Sequence, residues 1–183
     1  DSEDDGLLFV GCAGGGDLQL SFQARRGAVP CELQALDLRV RGLRGGHSGI
    51  DIHRNRMNAI HALVRLLLQG AGEQALRLAS IDGGNKRNAI PREAGATLCI
   101  ADAGAFHRGV DAAAAALRAQ FRGLEDRLEV RVQPAAPPPD AWSEADSQRL
   151  LDVLRSVPSG VVALSSDIPG LVETSSNLGV VRT

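Results

Sequence analysis

Apolar residues recur in this chain of 183 residues with two different periods. Leu36, Leu38 and Val40 alternate with Asp37, Arg39 and Arg41, the period-two pattern of a strand with one buried face. The same alternation predicts strands over residues 17–26, through Leu18, Leu20 and Phe22, and around Leu128, Val130 and Val132. Leu7-Leu8-Phe9-Val10 is a continuous apolar run and reads as a buried strand. Further strands are expected at Leu76, Leu78 and Ile81, over 94–101, over 161–164, and over 171–181 after the break at Pro169-Gly170. The second period is helical. Met57, Ile60, Val64, Leu67 and Leu68 predict a helix over 52–69 that stops at the glycines near Gly70 and Gly72. An alanine run predicts a second over 110–122. A third begins after Ser143, a good N-cap with Asp146 three residues on, and ends near Ser156.

The central succession is therefore strand, helix, strand, strand, helix, strand. That order predicts an α+β fold, ferredoxin-like, with an antiparallel sheet, helices on one face, and further strands at either end. Residues 134–139, rich in proline, read as a stiff extended linker. Gly11-Cys12-Ala13-Gly14-Gly15-Gly16 lacks the Lys-Ser/Thr of a phosphate-binding loop and reads as a hinge between domains. The pattern opens and closes in mid-strand, so a piece of a longer protein is expected.

Composition narrows the function. Hydrophobic residues at 44% and charged residues at 23% describe a globular chain rather than a disordered one. Aromatics at 3%, with no Tyr, leave an aliphatic core and no base-stacking surface. The net charge of −2 without a basic block argues further against nucleic acid. No run of eighteen apolar residues predicts a membrane span, and the acidic start is unlike a signal peptide. Cys12, Cys31 and Cys99 form no CxxC pair, which fits a reducing, cytoplasmic setting, with Cys99 a small buried hydrophobe.

Candidate chemistry concentrates in two glycine-rich loops, each leading off a predicted strand. One is Gly42-Leu43-Arg44-Gly45-Gly46-His47-Ser48-Gly49, in which His47 is the one side chain that titrates near neutrality. The other is Asp82-Gly83-Gly84-Asn85-Lys86-Arg87-Asn88-Ala89-Ile90-Pro91. In a split-βαβ sheet the two loops are expected to converge, and a His and an Asn together suit a carboxylate or carbonyl oxygen. A complete metal site is not expected. His53 and His61 are eight apart on one predicted helix, too far for one ion, and His107, ahead of the second helix, reads as surface. The bland alternative, an exposed loop imidazole without function, applies to His47 as to any loop histidine.

At these same loops the chain resembles the M20 metallopeptidases, in their aminoacyl-histidine dipeptidase (Xaa-His dipeptidase, carnosinase-like) branch. The resemblance is carried by Asp1-Ser2-Glu3, by Gly11-Cys12-Ala13-Gly14-Gly15 and by the His47 loop. It continues through Arg87-Asn88-Ala89-Ile90-Pro91-Arg92-Glu93-Ala94 and Val172-Glu173-Thr174-Ser175-Ser176-Asn177-Leu178-Gly179-Val180-Val181, in the expected order along the whole chain. It implies a cytosolic, dimeric dipeptidase with two zinc ions. Residues 1–16 would be the end of its catalytic domain and the hinge, and 17–183 its lid or dimerisation domain, C-terminally incomplete. Asp1 would match one zinc ligand, with the others outside this chain. His47 would match the lid histidine that reaches into the neighbouring subunit and stabilises the oxyanion, and Asn88 the asparagine at the substrate's carboxylate end. Related lids carry an arginine thirteen positions after that asparagine; here the place is Ala101, so an arginine beyond Thr183 is expected to complete the carboxylate clamp.

The lid reading expects this chain alone to be inactive and to bind no zinc. Two other readings stay open: a free-standing ferredoxin-like module that holds a small anion or has a regulatory role, and a purely structural dimerisation domain. No nucleic-acid or membrane partner is expected under any of them.

Overall fold

Strands whose apolar residues fall on alternate positions can bury one face only by pairing in register, and residues 34–41 and 94–100 do so. Leu36, Leu38 and Val40 lie opposite Leu98, Ala96 and Ala94, and all six are buried. The structure, a computed structural model, describes residues 5, 6, 8 and 14–183. In chain order its strands are β1 (Arg26–Ala28), β2 (Gln34–Arg41), β3 (Gly46–His47), β4 (Arg77–Gly83), β5 (Ala89–Ile90), β6 (Ala94–Ile100), β7 (Glu129–Pro134), β8 (Asp140–Trp142), β9 (Gly160–Leu164) and β10 (Val172–Ser176). The helices are α1 (Ala59–Ala71), α2 (Ala103–Gln120) and α3 (Glu144–Ser156). The central sheet is antiparallel with the order β4-β6-β2-β7. With α1 between β2 and β4 and α2 between β6 and β7, this is the expected ferredoxin-like α+β topology.

One sheet face is covered by helix. Leu63, Leu66 and Leu67 of α1 and Phe106 and Val110 of α2 are buried in one cluster with the inward residues of the sheet. The two helices approach closely at a pair of glycines. A Cβ on Gly109 would lie 2.7 Å from the Gln69 carbonyl oxygen and 2.9 Å from the Gly70 Cα. Helix α3 joins this layer, and the Ser147 hydroxyl accepts the Leu78 N–H at 2.9 Å, tying α3 to β4. The opposite sheet face is polar, with Arg39 donating to both Asp37 oxygens at 2.6 and 2.7 Å.

Several boundaries differ from the sequence reading. Helix α1 starts at Ala59, not residue 52, because the Asn58 carbonyl oxygen of the side chain accepts the Ile60 and His61 N–H groups and caps it there. Residues Ile52–Arg54 form a separate 3-10 turn, closed by Asn55 in the left-handed conformation. His53 and His61 therefore do not share a helix. Helix α2 starts at Ala103, capped by Asp102, whose carboxylate accepts the Ala105 N–H at 2.8 Å; His107 lies inside it rather than ahead of it. Helix α3 begins after Ser143, whose hydroxyl accepts the Asp146 N–H, as expected.

The strand expected over 17–26 is absent apart from β1. Leu18 and Leu20 are 85% and 65% exposed, and this stretch has no strand to pair with until Arg26 meets Trp142 of β8. Alternation without a partner backbone does not make a strand. The segment after β10 is likewise not a strand; it returns to the sheet through a single bridge between Gly83 and Val181. Of the run at 7–10 only Leu8 is described, and it is exposed. Cys99 is fully buried, and that burial pushes its thiol pKa up.

Candidate functional site

The His47 and Asn88 loops meet. Strand β3 pairs antiparallel with β5, placing His47 opposite Ala89 and Gly46 opposite Ile90. The Ser48 N–H donates to the Asn88 carbonyl at 2.9 Å, so the residue after His47 is bonded to the backbone of Asn88 itself. Both His47 and Asn88 are exposed.

The ring of His47 is oriented by its own loop. Its Nδ1 accepts the Gly49 N–H at 3.0 Å and the Ile50 N–H at 3.2 Å. A neutral imidazole that accepts through Nδ1 carries its hydrogen on Nε2. The exposed edge of the ring is thus a donor. Asp51 closes the turn beneath it: the Asp51 N–H donates to the His47 carbonyl at 2.9 Å, and Asp51 Oδ2 accepts the His47 N–H at 3.0 Å. Arg54 and Arg56 pair with Asp51 Oδ1 at 3.2 and 3.3 Å, and Arg56 also donates to the Gly45 carbonyl. The His47 N–H, followed by the two guanidinium charges, holds the Asp51 carboxyl below the usual aspartate range. Gly46 is required where it stands. Its φ of 144° disfavours any side chain, and a Cβ there would lie 2.6 Å from the Asp51 carboxylate.

The connection from β2 to α1, in which this loop lies, is tied on both sides of His47 to one buried side chain that sequence reasoning missed. Glu125, 3% exposed, accepts the Arg44 N–H through Oε2 at 2.9 Å and the Met57 N–H through Oε1 at 3.1 Å. The Asn88 loop has a brace of its own in Asn177, whose Nδ2 donates to the carbonyls on either side of Asn88, Ala89 at 2.9 Å and Arg87 at 3.3 Å. Asn58 adds a second tie to that segment by donating to the Leu178 carbonyl at 2.9 Å. Nothing in the local sequence marks Glu125, which lies 81 and 68 residues from its partners. Asn177 lies within one of the blocks that carry the resemblance, where its sequence context assigns it no role.

Beside the β3–β5 ribbon lies an open cleft of about 690 Å³. It is lined by Arg39, Arg41, Arg44, Lys86 and Arg92 against Asp82 and Glu93, an excess of positive charge that favours anions. Ala101 is remote from it, following β6 at the end away from Ala94, a strand length of roughly 20 Å. Among the described residues no three His, Cys, Asp or Glu side chains gather as a metal site, and Asp1 lies outside those residues. Among the same residues no helix is long and apolar enough to cross a membrane.

The model of the M20 peptidase dimerisation domain matches residues 38–129, which include the His47 and Asn88 loops and Glu125. Over 183 residues, 99% of this chain, the sequence is 37% identical to the cytosol non-specific dipeptidase of Escherichia coli strain K12. The chain spans 38% of that relative's length. The crystal structure of the aminoacylhistidine dipeptidase from Vibrio alginolyticus superposes with a TM-score of 0.84 at 35% identity, covering 88% of this chain and 34% of that one.

Proposed function

As this chain belongs to the M20 peptidase family and carries its dimerisation domain, we propose that it is the lid of a metal-dependent dipeptidase whose two glycine loops hold the substrate, one at the scissile carbonyl and the other at the carboxylate end. In this reading residues 17–183 form the lid, residues 1–16 the end of the catalytic domain and the hinge, and the substrates are Xaa-His dipeptides. The enzyme works as a cytoplasmic homodimer, with the lid of one subunit reaching the active site of the other. The observation that carries the reading is the state of His47: its Nδ1 is occupied by two backbone N–H groups, its Nε2 is left as a donor, and it sits on a ribbon shared with Asn88.

Each residue then has a defined task. As the scissile carbonyl becomes tetrahedral, negative charge grows on its oxygen, and the His47 Nε2–H donates to it. The Asn88 amide donates to the substrate's carboxylate end. Because the donor is supplied by a lid, closure and catalysis are coupled. In this reading the donors for two zinc ions lie in the catalytic domain, with Asp1 as the one ligand from this chain, and the lid contributes hydrogen bonds and positioning.

The test is His47→Ala in the full-length enzyme. Removal of one oxyanion donor lowers turnover by about 10²–10³ in comparable sites. A fall of that order, with the thermal midpoint unchanged, is expected. Wild-type turnover in the variant removes His47 from the mechanism.

A further inference from the structure

We infer that Glu125 is a positioning residue for His47, holding the catalytic loop closed at both ends; the inference rests on the lid reading of His47 given above. Three observations converge on it. The Arg44 and Met57 N–H groups belong to neither strand β2 nor helix α1, so each needs an acceptor from elsewhere, and one carboxylate supplies both. That carboxylate is 3% exposed and makes no ion pair among the described residues, so its hydrogen bonds are these two backbone donors rather than a cation. Its own backbone is also fixed. The Glu125 N–H donates to the Phe121 carbonyl at 2.9 Å just beyond α2, and the Leu128 N–H donates to the Glu125 carbonyl at 3.0 Å just before β7.

The arrangement transmits position rather than charge. Gly42 packs directly against the Arg127 carbonyl, so the turn that carries Glu125 also abuts the start of the loop. Asp51 and Arg56 order the middle of the loop, but neither links it to the rest of the domain as Glu125 does. Without Glu125 the His47 turn keeps its own hydrogen bonds and its pairing with β5, but the segments on either side of it lose their fixed ends, and the aim of the imidazole shifts with them. Misplacing a reacting group by about 1 Å costs up to about 10²-fold in rate. A glutamine keeps the volume but has one accepting oxygen, and its NH2 would face a backbone N–H, donor against donor.

The experiment is a double-mutant cycle in the full-length enzyme with Glu125→Gln, His47→Ala and the pair, measuring kcat, KM and the thermal midpoint. E125Q is expected to lower kcat by about 10- to 100-fold with little change in KM. In the H47A background the same change should lower kcat by less than about twofold, because the residue it positions is gone. Equal losses in both backgrounds, or no loss in the wild type, overturn the inference while leaving the role of His47 standing. Wild-type turnover in H47A instead overturns the lid reading and, with it, the functional meaning of Glu125. Should E125Q fail to fold, amide exchange on the unmutated enzyme decides: slow exchange at Arg44 and Met57, comparable to α1, supports the clamp, and exchange at loop rates overturns it.

Discussion

His47, Asp51 and Asp146 show how single side chains here act chiefly through backbone N–H groups. Asp51 accepts the His47 N–H, and Asp146 accepts the Arg25 N–H at 2.9 Å and the Ser143 hydroxyl at 3.0 Å. Those hydrogen bonds, the one from Arg25 first, with Arg149 nearby, hold the Asp146 carboxyl below the usual aspartate range. A folded-state value below the unfolded one means that the unfolded chain binds the proton more readily. The stabilisation is therefore complete above the unfolded value, about 3.9, and is lost as pH falls through the folded value. Asp146→Asn should accordingly lower stability at pH 7, and the gap from wild type should shrink below about pH 4. Urea unfolding across that range measures it; a gap that is unchanged at low pH removes the carboxylate's charge as the cause. The segment that Asp146 anchors through Arg25 is the one whose alternation promised a strand; its end is held by this buried carboxylate together with the Ser143 N–H, which donates to the Arg25 carbonyl at 2.9 Å where β1 meets β8.

At the scale of elements, the decisive contacts are the close approach of α1 to α2 and the pairing of the two short loops. Gly109→Ala tests the first. In an open helix the change would favour the helix by up to about 1 kcal/mol, but here the new Cβ meets backbone within 3.0 Å at Gln69 and Gly70, which no rotamer change relieves. Overpacking of this kind typically costs about 1–3 kcal/mol, so a net fall in the thermal midpoint is expected. Gly104→Ala, whose Cβ would meet only side-chain atoms at 3.3 Å or more, should be neutral or stabilising. Equal effects of the two substitutions would remove the helix crossing as the cause. Strands β2, β6 and β7 were legible because each alternates against a partner and a helix layer, and β4 because Leu76, Leu78 and Ile81 mark its buried face across a register shift between Leu78 and Ser80. The meeting of the His47 and Asn88 loops was legible because the strand order placed both at one end. The start of α1 was not: Ile52 continues the apolar spacing and is buried, yet belongs to a separate turn. Nor was Glu125, since a side chain that serves distant backbone donors leaves no periodic trace.

At the scale of the whole molecule, the question is whether the chain acts by itself or as part of a larger active site. It spans 38% of the Escherichia coli relative's length, and the described residues bring His47 and Asn88 together without a metal-binding cluster around them. The cleft beside them, with five cationic and two acidic side chains, gives the anion-binding module a concrete basis, since it is the cationic hollow that adjoins both glycine loops. The lid reading makes the opposite demand: hydrogen-bond donors on a lid gain affinity only when the rest of the site fixes the other end of the substrate. Titration calorimetry separates them, with zinc, a histidine dipeptide and inorganic phosphate added in turn to the 183-residue chain and to the full-length enzyme. The lid reading expects zinc and dipeptide to bind the full-length enzyme and neither to bind the chain alone. Stoichiometric, tight zinc binding by the chain alone overturns it, because the ligands would then have to lie within these residues. Tight phosphate binding that Arg44→Ala and Arg92→Ala abolish, with no dipeptide binding by the full-length enzyme, would instead assign the chain to anion binding and leave His47 without an oxyanion to serve.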